Sequence, residues 1–178
     1  MKVTRVFDLL DRYKEKFPDK EDVFGVKRNG KWINFSAKDY ISISHNISYG
    51  LLSLGVKRGD KIVTVSSNQP EWNFVDMAIS MAGAVHVPVF TSLSSDEYRH
   101  IVNHSEAKFI FVSDKSLYRV IREAIGQEAA EEKIYSFDEI QNVKNLKEII
   151  EEGKLDAEKY KDELEQIKIT LLKKISSL

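Results

Sequence analysis

The stretch Gly25-Val-Lys-Arg-Asn-Gly30-Lys31-Trp32 has the glycine and lysine spacing of a phosphate-binding loop. Such a loop wraps backbone N–H groups round a polyphosphate, aims its lysine at it and ends in a Ser or Thr hydroxyl that reaches magnesium. Trp32 supplies no hydroxyl, and the stretch lies inside an alternating pattern rather than between a strand and a helix. Lys31 is therefore read as a solvated turn charge. His100 and His104 stand four residues apart, a spacing that puts two imidazoles on one helix face, within reach of one metal ion. The intervening Ile-Val-Asn lacks the glutamate of the metalloprotease pattern and no third ligand is near in sequence, so both are read as surface histidines. His45 is read as a helix-surface residue, and His86, between Val85 and Val87, as a hydrogen-bonded sheet histidine. Hydroxyl-rich Thr64-Val-Ser-Ser67 and Thr91-Ser-Leu-Ser-Ser95 fall at predicted strand ends, where open α/β sheets bind ligands. No glycine stands beside them to let the backbone close on a phosphate, so helix capping is the favoured role. Neither G-x-G-x-x-G nor G-x-S-x-G occurs. From the residues alone, no side chain is assigned a catalytic, cofactor-binding or metal-binding role.

The elements that must carry these residues follow from periodicity. Phe7, Leu10, Tyr13 and Phe17 recur at helical spacing before Pro18-Asp19, which predicts an amphipathic opening helix. Val23 to Phe35 alternates around Asn29-Gly30, the pair that best tolerates the two positive φ angles of a tight hairpin. Ser36-Ala-Lys-Asp39 reads as a capping box opening a helix with Tyr40, Ile43, Ile47, Leu51 and Leu54 on one stripe and Gly55 at its end. Lys61 to Ser67, Val85 to Phe90, Phe109 to Val112 and Ile134 to Phe137 read as strands. Between them, Pro70 opens one helix, Ser94-Ser-Asp-Glu97 caps a second and Leu117 to Ile125 forms a third. Strand and helix alternate at βαβ spacing. The expected class is α/β, a mostly parallel sheet flanked by helices, with an N-terminal β-hairpin and a helical C-terminal segment.

From Gln141 the composition shifts to Glu and Lys, so the domain core is expected to end by residue 140, leaving 141–178 as a charged helical segment. Tyr160, Leu164, Ile167, Leu171, Ile175 and Leu178 give that segment one apolar face. The face either packs back on the domain or supports self-association through Tyr160 to Leu178.

With 178 residues and 42% apolar content, the chain can bury a core without disulfide or metal. A net charge of −1 gives no general attraction to nucleic acid or anionic membrane. Zero cysteines excludes thiolate chemistry and suits a reducing compartment. Early charges at Lys2 and Arg5 do not fit a signal peptide, and no apolar run reaches membrane-spanning length. Cytoplasmic residence is expected. The glycosylation triplets at Asn34, Asn46 and Asn103 are read as chance matches in a chain rich in Asn and Ser.

Several ordered segments carry a family resemblance. They are Asn68-Gln-Pro-Glu-Trp72 and Thr91-Ser-Leu-Ser-Ser-Asp-Glu97, with Gly30-Lys-Trp-Ile-Asn-Phe-Ser36 followed by Asp39-Tyr40. Gly50-Leu-Leu-Ser-Leu-Gly-Val-Lys-Arg-Gly-Asp-Lys-Ile-Val63, Ala82-Gly-Ala-Val-His-Val-Pro88 and His104-Ser-Glu-Ala-Lys108 complete the set. Together they resemble the N-terminal portion of the AMP-forming acyl-CoA ligases, with long-chain fatty acid CoA ligases as the nearest subgroup. The resemblance implies part of a larger adenylate-forming enzyme domain. A full-length member would use ATP, magnesium and coenzyme A to turn a fatty acid into its acyl adenylate and then its thioester.

The resemblance also implies groups that this sequence does not contain. These are a Gly, Ser and Thr-rich phosphate loop ending in lysine, a carboxylate for magnesium, an acidic ribose contact and a lysine from a mobile C-terminal domain. Where the family would enter an apolar strand and that loop, the chain reads Ile169-Thr-Leu-Leu-Lys-Lys-Ile-Ser-Ser-Leu178. The expectation is a fragment, either cut or shortened by a frameshift, that supplies scaffold and is inactive alone. The rival expectation is a non-enzymatic α/β binding or interaction module that dimerises through its C-terminal helix.

Overall fold

A computed structural model describes residues 3–175, with side chains through Leu171. Helix α1 (Asp8–Lys16) leads into strands β1 (Phe24–Arg28) and β2 (Lys31–Phe35), paired antiparallel. The hairpin turns through Asn29 and Gly30 at φ of 50° and 79°, as the Asn-Gly signal requires. Helix α2 (Ala37–Ser53) opens on the expected capping box: Ser36 Oγ accepts from Asp39 N, and Asp39 Oδ2 accepts from Ser36 N. It closes where Gly55, at φ 74°, lets the Val56 and Gly55 amides bond back to Leu51 O and Leu52 O.

Strand β3 (Lys61–Val65), helix α3 (Pro70–Met81), strand β4 (Val85–Val89), helix α4 (Ser95–Ser105) and strand β5 (Phe109–Val112) then alternate. After helix α5 (Lys115–Ile125), short helix α6 (Gln127–Lys133) precedes strand β6 (Ile134–Ser136). Helices α7 (Leu146–Leu155) and α8 (Ala157–Ile175) complete the described residues. The four later strands form one parallel sheet in the order β4-β3-β5-β6, in register Ile62 with His86 and Phe109, and Ile110 with Ile134. The α/β class is therefore that of the sequence reading.

Alternation along the strands divides the core between the two sheet faces. Ile62, Phe111, Tyr135 and Phe137 join the cluster built from α1, α2, α3, α7 and α8, while Val63, Val65, Ile110, Val112 and Ile134 join that of α4, α5 and α6. The first cluster continues past residue 140, where the charged composition puts its end. Leu146, Ile149 and Leu164 are buried in it, each contributing about 1.5–3 kcal/mol of transfer free energy. A third capping box explains why α7 starts where it does, with Asn145 accepting from Lys147 N and Glu148 accepting from Asn145 N. Gly50 in α2 and Gly153 in α7 let the two backbones touch.

On α8, Leu164 is buried and Tyr160, Ile167 and Leu171 pack against the same cluster, so this part of the apolar face is seated on its own domain. Ile175 and Leu178 fall outside the side chains described. No helix among the described residues is long and apolar enough to cross a membrane.

Candidate functional site

The chain runs from β3 to β4 on one side and then crosses to β5 on the other, so the sheet reverses its winding between β3 and β5. Crevices outside the carboxyl ends of strands at such a reversal are where open α/β sheets place ligands. Here the crevice gathers Ser66 and Ser67 after β3, Ser113 and Asp114 after β5, and Asp138 after β6.

Most of its polar atoms are committed to the chain itself. Ser67 N donates to Ser113 Oγ at 3.1 Å, Ser113 Oγ donates to Asp114 Oδ2 at 2.7 Å, and Ser66 Oγ donates to Ser67 O at 2.6 Å. Asp114 Oδ1 caps α5 by accepting from Ser116 N and Leu117 N at 2.9 and 3.1 Å. In the second hydroxyl-rich stretch, Ser94 caps α4, accepting from Glu97 N at 3.4 Å while Glu97 Oε2 accepts from Ser94 N at 2.8 Å. Thr64 is buried, and its Oγ1 meets no partner among the described residues. Capping and internal bonding thus account for the hydroxyls of Ser66, Ser94 and Ser113, and no glycine interrupts residues 61–70, 85–95 or 109–115 to let backbone amides wrap a polyphosphate. Among the described residues, no three metal-ligating side chains converge.

Asp138 carries the perturbed carboxyl of the crevice. Partial desolvation pushes its pKa up, Arg28 opposes that shift, and the carboxylates of Asp114 and Glu71 add to it. Arg28, which sequence spacing places inside a false phosphate loop, instead ties the hairpin to α3: its Nη2 donates to Glu71 Oε1 at 2.6 Å. Glu71 lies in the Asn-Gln-Pro-Glu-Trp segment, but nothing local connects it to a partner 43 positions earlier. Lys31 is exposed at the turn, as expected.

The histidines fall in three separate places. His100 and His104 are exposed on α4 with parallel rings 5.7 Å between centroids, beside Asp96, Arg99 and Asn103. His86 is the expected hydrogen-bonded sheet histidine: Nδ1 lies 2.7 Å from Asp76 Oδ1, and its ring meets Trp72 at 5.3 Å. Spacing along α3 gives no hint of Asp76 as its partner. His45 departs from a plain surface position. Its Nδ1 lies 2.8 Å from Ile41 O, and burial pushes its pKa down against that carbonyl's opposing effect, with Lys168, Asp11 and Glu165 facing it. Packing of α1 and α8 over α2 encloses it, which the pattern of α2 alone does not foretell.

A doubly wound sheet, a hydroxyl-lined carboxyl edge and an N-terminal hairpin are common to many enzymes, so family evidence decides between them. The family model described as AMP-binding enzyme matches residues 10–172. The chain belongs to the AMP-binding enzyme family. Among the AMP-binding relatives is the long-chain-fatty-acid–CoA ligase FadD15 of Mycobacterium bovis, 32% identical over 98 residues, covering 55% of this chain and 16% of that protein. Fatty acyl-CoA synthetase A of Dictyostelium discoideum is 27% identical over 125 residues, covering 66% of this chain and 18% of that one. This AMP-binding chain therefore spans less than a fifth of the length of either. In fold it is similar to the crystal structure of a long-chain-fatty-acid-CoA ligase (FadD1) from Archaeoglobus fulgidus, with TM-score 0.69 and 21% identity over 83% of this chain and 29% of that one. A benzoate CoA ligase from Burkholderia xenovorans LB400 also superimposes at TM-score 0.69, with 19% identity over 84% of this chain and 28% of that chain.

Proposed function

We propose that this chain is the N-terminal scaffold of an AMP-forming, long-chain fatty acyl-CoA ligase and does not catalyse the reaction alone. The observation that carries the reading is the family match across residues 10–172, joined to relatives named as fatty acyl-CoA ligases. In the whole ligase, the fatty acid carboxylate attacks the α-phosphorus of ATP, releasing pyrophosphate, and the thiol of coenzyme A then displaces AMP. No step is routed through the residues described, because their strand-end hydroxyls and Asp114 are already bonded within the chain. Their part is to hold the sheet on which the remaining machinery is mounted.

Two assays of fatty-acid-dependent pyrophosphate exchange into ATP test this. The pure 178-residue chain is expected to give none, and sustained exchange would overturn its assignment as a scaffold. A chimera of FadD15 carrying this chain's 98-residue matched stretch is expected to retain exchange. A folded chimera without exchange would overturn the family role.

Self-association of the isolated chain belongs to the same proposal, through apolar side chains left uncovered. Val85 on edge strand β4 and Phe90 just beyond it are 47% and 81% exposed, whereas Tyr160, Leu164, Ile167 and Leu171 of α8 are seated on the domain. Sedimentation over a concentration series is expected to show mass above the monomer, and a constant monomer mass would refute this. Cytoplasmic residence, with which the cysteine-free composition is compatible, is checked by fractionating cells that express the tagged chain. The rival module reading draws less support from α8, where Tyr160, Leu164, Ile167 and Leu171 pack within the domain and Ile169 is left exposed.

A further inference from the structure

A cavity of about 190 Å³ lies where β2, α2, α3 and α7 meet, adjoining the strand-end crevice on the Asp138 side. Its apolar wall is formed by Phe35, Ile43, Phe74, Phe137, Leu146 and Ile150. Phe35 and Phe74 stand edge to face with centroids 5.2 Å apart. Such an arrangement presents both a ring face and a ring edge to a third aromatic group.

Part of the polar lining is committed. Asn145 Nδ2 donates to Phe137 O and Asp138 O at 3.2 and 2.9 Å, and its Oδ1 accepts from Lys147 N at 2.9 Å. Lys147 Nζ pairs with Glu139 at 2.5 Å, and Arg28 holds Glu71 Oε1 at 2.6 Å. Glu71 Oε2, by contrast, is buried and meets no donor among the described residues. An unmatched buried carboxylate oxygen is costly, and the terminal torsion of a glutamate is soft enough to turn that oxygen toward the cavity.

These observations define the occupant. The wall is mostly carbon, and Glu71 Oε2 is its buried acceptor without a donor among the described residues. An apolar cavity of about 150 Å³ accommodates benzene, so this volume suits one ring with a small substituent. An anion would meet Glu71, and an ammonium would lose its hydration beside two cations already in place. We infer that the cavity binds a neutral phenol, its ring between the aromatic walls and its O–H donating to Glu71 Oε2. This holds whatever becomes of the ligase proposal, since it uses none of the crevice residues.

The test titrates the isotopically labelled 178-residue chain with phenol and, separately, with toluene, following amide shifts. Saturable shifts centred on Phe74, Phe137 and Ile150 are expected, with phenol at least about tenfold tighter, the scale of a hydrogen bond to a charged group. Ile150→Trp should fill the space and abolish both titrations, while Glu71→Gln should narrow the phenol to toluene ratio. Equal affinities would overturn the role of Glu71. Absent shifts, or shifts that persist in Ile150→Trp, would overturn the site. Should Glu71→Gln not fold, the wild-type ratio and Ile150→Trp still decide the matter.

Discussion

Replacing Gly153 by alanine tests whether α7 is seated on α2 by direct backbone contact. A Cβ built at Gly153 overlaps the Asn46 carbonyl oxygen and stands 2.8 Å from Gly50 N; one built at Gly50 overlaps the Ile149 carbonyl oxygen and stands 2.7 Å from Ile149 Cγ2. The nearest obstacle is backbone in both cases, so no rotamer change relieves it, and α7 must withdraw by on the order of 1 Å. A gap of that size forfeits roughly a quarter to a half of each dispersion contact across the crossing. The side chains affected include Ile47, Leu51, Leu146 and Ile149, all in the larger core cluster. Forced overpacking costs about 1–3 kcal/mol before that loss, while the better helix propensity of alanine returns about 1 kcal/mol. Gly153→Ala should therefore cost about 3 kcal/mol, or roughly 6–12 °C in Tm for a domain of this size. Urea unfolding followed by circular dichroism measures it for each single variant and for the pair. Since one withdrawal relieves both clashes, Gly50→Ala with Gly153→Ala should cost less than the sum of the singles by about 1 kcal/mol or more. Unchanged or increased stability of Gly153→Ala would refute the reasoning, because only the propensity gain would then be left.

Two further predictions concern the helix ends. Asp8 accepts from Thr4 N, Thr4 Oγ1, Arg5 N and the Arg5 guanidinium. Burial pushes its pKa up, but the Arg5 side chain and these amide and hydroxyl donors prevail and lower it from 3.8 to about 2. A folded-state value below the unfolded one contributes stability above about pH 4 that is lost as pH falls toward 2, here about 2 kcal/mol. Asp8→Asn should thus be less stable than wild type by about that amount at pH 7 and equal to it near pH 2, and a gap constant with pH would disprove the linkage. Glu106 ends α4 at φ 52°, where a Cβ is strained and glycine is not. Glu106→Gly should raise stability by about 0.5–1 kcal/mol in the same unfolding assay, and a loss would show that the side chain has a stabilising contact.

What the sequence made legible was what short segments decide. The Asn29-Gly30 turn, the boxes at Ser36 and Ser94 and the stop at Gly55 each depend on residues a few positions apart, and each stands where the pattern puts it. The strands are legible for the same reason, since runs such as Phe109 to Val112 contain their own signal. The docking of α7 is not. Gly50 and Gly153 read separately as mild helix weakeners, and only their meeting in space turns them into a contact surface. Charge misleads in that region as well: the Glu and Lys of residues 147–154 occupy the solvent side of a helix whose other side buries Leu146 and Ile149. Family segments were readable as words without their physical roles, so Glu71 is conspicuous in Asn-Gln-Pro-Glu-Trp while its partner Arg28 hides in a false phosphate loop.

Arg28 and α7 give the hairpin and the charged segment a common purpose in the fold. Both would look peripheral to a four-stranded sheet, yet the hairpin is fixed to α3 by the Arg28 to Glu71 ion pair, and α7 is fixed to α2 by backbone contact. The ion pair is a weak fastener if exposed and a costly one if half-satisfied, and Glu71 is largely buried with one oxygen unmatched. Stability alone is therefore a poor reason for this carboxylate, since an apolar residue of similar volume at position 71, with a shortened partner, would pack the same wedge at less cost. The unmatched oxygen is the acceptor that the proposed phenol site uses. The proposed scaffold role and the cavity thus rest on separate observations: the first on the family match across residues 10–172, the second on an oxygen of Glu71 that meets no donor among the described residues.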